Sequence, residues 1–186
     1  MRAAGAVIVE WGAEKMTLDA VAQQAGISKG GLLYYFPTKE ALIGGMVTRL
    51  IEEFEAEVNA QEQRLKQQNV PAAGRFLRAY VIAATTPEEE FDAMMAALLA
   101  AVTSNPPLLS AMREADAIWQ QRAESDGIDV GLATIIRLAA DGCWMSALFG
   151  FEAGFESDVK LRAVQNTLLR LIDDAIAQFN VAEAQP

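Results

Sequence analysis

The sequence predicts an all-α chain with two domains: an N-terminal three-helix helix-turn-helix domain over residues 1–48 and a helical domain over 49–180. Three observations predict it. Apolar residues recur at three- and four-residue spacing, and no alternating run competes as a strand. Prolines and the pairs Asn105-Pro106 and Asp126-Gly127 cut the chain into helix-length pieces. Residues 16–42 hold two short amphipathic segments joined by a glycine, with a third helix start directly after them.

The first helix runs roughly from Ala3 to Trp11. Thr17 is a natural N-cap for the second, because its hydroxyl can accept a free backbone N–H of the first turn. Leu18, Val21, Ala22 and Ala25 form one buried stripe. Gly26 stands where the helix must stop in a left-handed conformation that glycine adopts cheaply. Ile27 plugs the turn, and Ser28 caps a third helix carrying Lys29 to Tyr35. Phe36-Pro37 ends that helix, since the residue before proline avoids helical angles. Thr38 caps the next, with Glu40 in its first turn.

These residues resemble the DNA-binding domain of the TetR family of bacterial transcriptional regulators. The family pattern runs T-hydrophobic-x-x-hydrophobic-A-x-x-A-G-hydrophobic-S-x-G-x-hydrophobic-Y-x-[HY]-F-x-x-K-x-x-L. Thr17, Val21, Ala22, Ala25, Gly26, Ser28, Gly30, Leu32, Tyr35, Phe36, Lys39 and Leu42 match it in register. The likeness covers residues 1 to about 50; beyond that it rests on length and helical layout. Gly31 and Leu33 depart from the relatives' usual residues, Thr or Ser and Tyr. Relatives also begin with a basic arm and a longer first helix, whereas Arg2 is the only basic residue ahead of the first helix here.

The resemblance places Thr17, Ser28, Lys29, Gly30, Gly31, Tyr34, Tyr35 and Lys39 against DNA. Each has a structural reading beside that one. Thr17 can act as a cap alone, and Lys29 as a solvated lysine. Gly30 and Gly31 each cost a helix interior roughly 1 kcal/mol relative to alanine; they either let the DNA backbone approach or loosen a helix that tightens on DNA. Tyr34 and Tyr35 can both donate to phosphates, contacts that set register rather than sequence, or one packs on the first helix and leaves Tyr34 outward. Lys39 lies in a first helical turn, where the dipole disfavours a cation and a phosphate partner would explain it.

Charge is divided unevenly. Residues 1–50 carry five basic and four acidic residues, net +1; the other 136 carry ten basic and twenty-one acidic, net −11, of a total −10. An acidic chain is a poor general nucleic-acid binder, so DNA is kept to one face and a dimer is expected to double its contacts. The single cysteine, Cys143, excludes an internal disulfide and suits a reducing cytoplasm. With no histidine, Ser-His-Asp and Cys-His catalysis and histidine-ligated zinc sites are absent. There is no phosphate-cradling Gly-x-x-x-x-Gly-Lys loop. Glu52-Glu53, Glu88-Glu89-Glu90 and Asp173-Asp174 read as solvated faces and helix starts. No enzyme, cofactor, metal or membrane span is expected; the apolar run 93–102 is too short to cross a bilayer.

In the second domain, Leu42, Met46, Leu50 and Phe54 make one stripe of a long helix running from the Thr38 cap towards Gln68 and linking the domains. Pro71 opens a helix with Phe76, Leu77, Tyr80 and Val81. Pro87 and the acidic residues after it open another, broken at Asn105-Pro106-Pro107. The next carries Leu108, Met112, Ala115 and Trp119. Asp129 caps a helix to about Gly150, and the last runs from Ser157 or Asp158 to about Phe179. Residues 181–186 are expected to be a disordered tail.

Ile135 and Ala139 on the penultimate helix, and Leu161, Val164, Leu168, Leu171, Ile172 and Phe179 on the last, recur at helical spacing. They read as a homodimer interface of four helices or as each domain's own core. Phe76, Tyr80, Phe91, Met94, Met95, Met112, Trp119, Trp144, Met145 and Phe149 are soft and aromatic, an adaptable lining for an apolar ligand or ordinary core. Asp141 interrupts an apolar helix. It would meet a cationic ligand, a second subunit, or Arg137 as an i,i+4 pair. The resemblance implies a homodimeric, cytoplasmic, nucleoid-associated repressor. It would hold a pseudo-palindromic double-stranded operator and be released by a small apolar or amphipathic ligand. Two alternatives stay open: a DNA-bound organising protein of this fold without an inducer, or a helical ligand-binding protein with a vestigial DNA head.

Overall fold

The computed structural model describes residues 1–86, 106–148 and 158–183. Among them the regular elements are α1 (Arg2–Trp11), α2 (Leu18–Ala25), α3 (Lys29–Tyr35), α4 (Lys39–Gln67), α5 (Arg75–Ala84), a 3-10 turn (Pro106–Leu109), α6 (Ser110–Glu124), α7 (Val130–Leu148) and α8 (Asp158–Glu183). The described residues form two compact units. One holds Met1–Glu53 with 106–115; the other holds 54–86, 116–148 and 158–183. The division falls inside α4.

In the first unit, α2 packs on both α1 and α3. Ala4, Val7 and Ile8 of α1, Met16, Val21, Ala22, Leu32, and Leu42, Met46, Val47 and Leu50 of α4 are buried. The three expected caps form. The hydroxyls of Thr17, Ser28 and Thr38 accept from the N–H groups of Ala20 at 3.2 Å, Gly31 at 3.1 Å and Ala41 at 3.1 Å. Gly26 closes α2 at φ 66°, with its own N–H donating to Gln23 and that of Ile27 to Ala22. Asn69 ends α4 by the same paired bonds at φ 61°, a position asparagine tolerates better than most residues. Phe36 lies so close over α4 that a Cβ at Gly45 would sit 2.8 Å from its ring.

Pro71 does not open α5, and this corrects the sequence expectation. The helix begins at Arg75, after Gly74 at φ 68°. Its free N–H groups are satisfied from a distance: the Asp126 carboxylate accepts from Phe76 at 3.1 Å and Leu77 at 2.8 Å, and the Asp126 carbonyl accepts from Gly74 at 2.6 Å. Leu108 likewise falls in the 3-10 turn rather than in α6. At the other end, α8 reaches Glu183, into the segment expected to be a tail.

The second unit is built on α5, which packs against α7 and α8, themselves in contact. Val58, Phe76, Leu77, Tyr80, Val81, Ala123, Ile128, Ala133, Ile136, Ala140, Leu168 and Ile172 form one buried cluster, with Phe54 and Trp119 packed against it. Leu161 is buried too, and Val164 packs on the same cluster. Leu168 and Ile172 therefore belong to the core of their own unit. Large apolar residues left outside are Val130, Ile135 (61% exposed), Leu138 (54%) and Met145 on α7, and Val159 and Leu171 on α8, among the described residues. Ala139 is half-buried, and the side chain of Phe179 lies outside the described set.

Candidate functional site

The face formed by α2, the Gly26 turn and α3 carries the residues expected to meet DNA. Ser28 and Thr17 sit at the two helix starts, both exposed, with their hydroxyl oxygens engaged as caps. Gly30 and Gly31 are exposed. A Cβ at Gly30 would meet nothing, and one at Gly31 would meet only the Ser28 hydroxyl at 3.1 Å. Internal packing therefore does not require glycine at position 30. Tyr34 and Tyr35 are 82% and 74% exposed, so both rings project into solvent. They touch edge to face, with centroids 5.1 Å apart. A pair of large rings with so little of the protein against them is an unusual use of aromatic surface.

Two lysines have partners that the sequence does not announce. Lys29 Nζ donates to Asp19 at 2.7 Å, and both side chains are exposed. Lys39 Nζ donates to the Glu14 carbonyl at 2.7 Å, tying the start of α4 to the connection before α2. Lys39 thus has a structural role in the head, whatever else it meets. An acid in the first helical turn is the only sequence signal at Asp19, and a backbone carbonyl at position 14 leaves none.

The second unit contains an aromatic and polar cluster. Tyr80 stands edge-on to Phe54 (5.3 Å) and Trp119 (5.9 Å), Phe54 meets Trp119 at 5.1 Å, and Phe76 tilts against Tyr80 at 5.8 Å. Arg122 lies over the Phe76 ring at 4.1 Å and is paired with Glu62. Phe54 joins this group although its sequence pattern marks it only as part of the α4 stripe. The Tyr80 hydroxyl donates to Asp141 at 2.7 Å. Asp141 also accepts from Arg137 at 3.0 Å, and Arg137 in turn donates to Asp116 and to Gln120, each at 2.8 Å. The i,i+4 pair of Arg137 and Asp141 is present, as one of the sequence readings has it.

Burial governs the ionisation here. It pushes the Tyr80 phenol up, with the Asp141 charge adding to it. It also raises Asp141, more than the Tyr80 hydrogen bond and Arg137 lower it. For Arg137 burial is the largest influence and acts downward, but Asp141, Tyr80 and Asp116 together outweigh it and the guanidinium is raised. Cys143 is buried and its thiol is raised for that reason alone. Of the other predicted lining residues, Trp144 and Met112 are half-buried and Met145 is exposed. Phe91, Met94, Met95 and Phe149 lie outside the described residues.

Residues 1–46 match the family model described as bacterial regulatory proteins, tetR family. Residues 74–173 match that described as the tetracyclin repressor-like C-terminal domain. No curated protein sequence is a significant match. Solved structures share the fold. A proposed TetR-family transcriptional regulator from Rhodococcus sp. superposes with a TM-score of 0.67 at 16% identity, covering 94% of this chain and 95% of its own. A regulator from Streptomyces coelicolor A3(2) gives 0.68 at 16%, over 92% and 94%. One from Saccharomonospora viridis, solved in complex with choline, gives 0.64 at 18%, over 92% of each chain. The first model falls on the capped three-helix head and the second on the helices around Tyr80, which accounts for both units at once: the chain belongs to the TetR family of bacterial transcriptional regulators.

Proposed function

We propose that the protein is a homodimeric repressor that holds a pseudo-palindromic operator and releases it when a small amphipathic molecule occupies the second unit. The observation that carries the DNA-binding part is the outward projection of Tyr34 and Tyr35 beside the open surface at Gly30. Rings exposed in this way contribute little to the head's own stability, so their use lies in what they touch. On this reading α3 enters the major groove, Ser28, Lys29, Tyr34, Tyr35 and Thr17 lie along its edges, and Lys39 holds the head in shape. Two heads related by a two-fold axis would read two half-sites about one helical turn apart or a multiple of it.

The dimer would form through the outward face of α7, where Ile135, Leu138 and Met145 remain exposed, together with Leu171 of α8. The effector would meet the rings of Phe76, Tyr80 and Trp119, with Asp141 as the polar group. Aromatic faces beside a carboxylate suit a cationic or amine-bearing molecule, in keeping with the choline held by the Saccharomonospora viridis neighbour. Release follows by linkage. An effector that favours the dimer geometry in which the heads no longer match the groove must weaken DNA binding, and DNA must weaken the effector by the same factor.

The test is selection of genomic DNA fragments by the purified protein at moderate salt. A short inverted repeat in the enriched fragments is the expected result. A folded protein that enriches no site would sink the reading and favour a ligand-binding protein with a vestigial head.

A further inference from the structure

We propose that Asp19 is an intramolecular competitor for DNA phosphate: in the free head it holds Lys29, and DNA must displace it. This rests on the DNA-binding reading above. The two side chains meet at 2.7 Å and both are exposed, so the pair is open to exchange with an anion from solution. The chain supplies Lys29 with no second anionic partner among the described contacts. Lys29 is the first residue of α3, where the positive end of the helix disfavours a cation. Asp19 lies in the first turn of α2, where a carboxylate is favoured. Each member of the pair therefore relieves or reinforces the other's position, and the pair is the ground state of the unbound head.

The consequence is electrostatic. A lysine that neutralises a phosphate releases a counterion from DNA, contributing about 0.9 to the slope of log K against log salt. When Lys29 leaves Asp19, however, an uncompensated carboxylate remains beside the phosphates and retains a cation there. The exchange then contributes almost nothing to the slope. An exposed ion pair of this kind biases an equilibrium by roughly a factor of 1.5 to 5 per head. Asp19 thus lowers affinity for DNA of any sequence. In a chain with so few basic residues in its head, that restraint keeps non-specific binding weak and leaves base-edge contacts to decide where the protein stays.

The experiment compares the full-length wild type, Asp19→Asn, Lys29→Gln and the double variant on a fluorescent duplex of random sequence. Affinity is titrated across a salt series, and thermal melting of each variant verifies folding. Asp19→Asn should tighten binding by about 2- to 25-fold for a dimer and steepen the salt slope by about 1 per head. In the Lys29→Gln background the same change should leave the slope unaltered. An unchanged slope in Asp19→Asn, with wild type binding normally, overturns the competition while leaving the DNA-binding reading intact. An equal steepening in the Lys29→Gln background also overturns it, because Asp19 would then act by direct repulsion. A folded wild type that binds no duplex at low salt overturns the DNA-binding reading, and this inference with it.

Discussion

Tyr80 and Asp141, 61 residues apart in the chain, are joined by a 2.7 Å hydrogen bond in which the phenol donates to the carboxylate. The bond links α5 to α7 inside a cluster of aromatic rings. Burial raises the phenol, which favours its protonated, donating form. Asp141 has one other partner of opposite charge, Arg137, and the network Tyr80–Asp141–Arg137–Asp116 runs from the core towards the surface.

Removing the phenolic hydroxyl isolates the value of that bond. Tyr80→Phe keeps the ring packing on Phe54 and Trp119 and leaves Asp141 with Arg137 alone. A loss of about 1–2 kcal/mol is expected, which in a chain of this size lowers the melting temperature by roughly 2–8 °C. Burial already raises Asp141, and losing the Tyr80 bond raises it further, so the folded variant takes up this proton more readily than wild type and its deficit should shrink on acidification. A melting curve unchanged across pH would mean the bond contributes nothing.

Arg137 is predicted to behave asymmetrically with its two acids. Its side chain is almost fully buried, while Asp116 is largely exposed. Arg137→Ala strands Asp141 in a half-buried site and should cost about 3–5 kcal/mol. Asp116→Ala removes a solvated partner and should cost less than about 1 kcal/mol. Urea unfolding of both variants decides this; similar losses would mean that Asp116, not Asp141, is the main counter-charge.

Asp126 gives a pH signature of its own. Burial pushes its carboxyl up to about 6, against the pull of the Leu77 and Phe76 N–H groups. The folded value lies above the ordinary 3.8, so the folded chain binds this proton more tightly than the unfolded one. Its contribution is fully present below about pH 4 and is lost as pH rises to about 6. Asp126→Asn should remove that downward limb from the stability profile. Asp126→Ala, which also leaves two helix N–H groups without their acceptor, should be less stable than Asp126→Asn by about 1 kcal/mol at every pH. A wild-type profile that rises between pH 4 and 6, with the rise unchanged in Asp126→Asn, would place the dominant titration elsewhere.

Asp126 also marks where the sequence stops being legible. Thr17, Ser28 and Thr38 are readable as caps because each bonds to a backbone group three residues on, and Gly26 because a left-handed stop is a local demand. The start of α5 is not readable, since its N–H groups are satisfied by a residue fifty positions away; Pro71 carries the only local signal and it misleads. The faces of α7 are ambiguous for another reason. Ile135, Ile136, Leu138, Ala139 and Ala140 are all apolar, so periodicity cannot say that Ile136 and Ala140 point inward while Ile135 and Leu138 point out. In the head the caps and the glycine turn are read correctly. The lysine partners are not, because neither a side-chain pair across the turn, as at Lys29, nor a distant backbone carbonyl, as at Lys39, leaves a periodic trace.

On the proposed dimer, that division of α7 would separate association from folding. Ile135→Glu with Leu138→Glu alters two exposed side chains and should give a folded monomer by sedimentation, with a melting temperature that no longer depends on concentration. Ile136→Ala, one position along, empties a fully buried site and should cost about 2–5 kcal/mol without changing the subunit contact. A glutamate variant that stays dimeric would move the interface off this face of α7.

Tyr34 and Tyr35 carry the last prediction, because their exposure separates binding from stability more cleanly than any other pair in the head. Both rings are largely exposed, so Tyr34→Phe and Tyr35→Phe should melt within about 1 °C of wild type, as surface changes generally do. If the hydroxyls donate to phosphates, each substitution removes one hydrogen bond per head and weakens DNA binding by roughly two- to tenfold. The loss should be similar for the operator and for random-sequence duplex, since phosphate contacts position the protein without reading bases. A loss confined to the operator would instead put the tyrosine against a base edge. No loss from either substitution, with the fold intact, would remove the end of α3 from the DNA interface and leave Ser28, Lys29 and the glycines at its start as the contact.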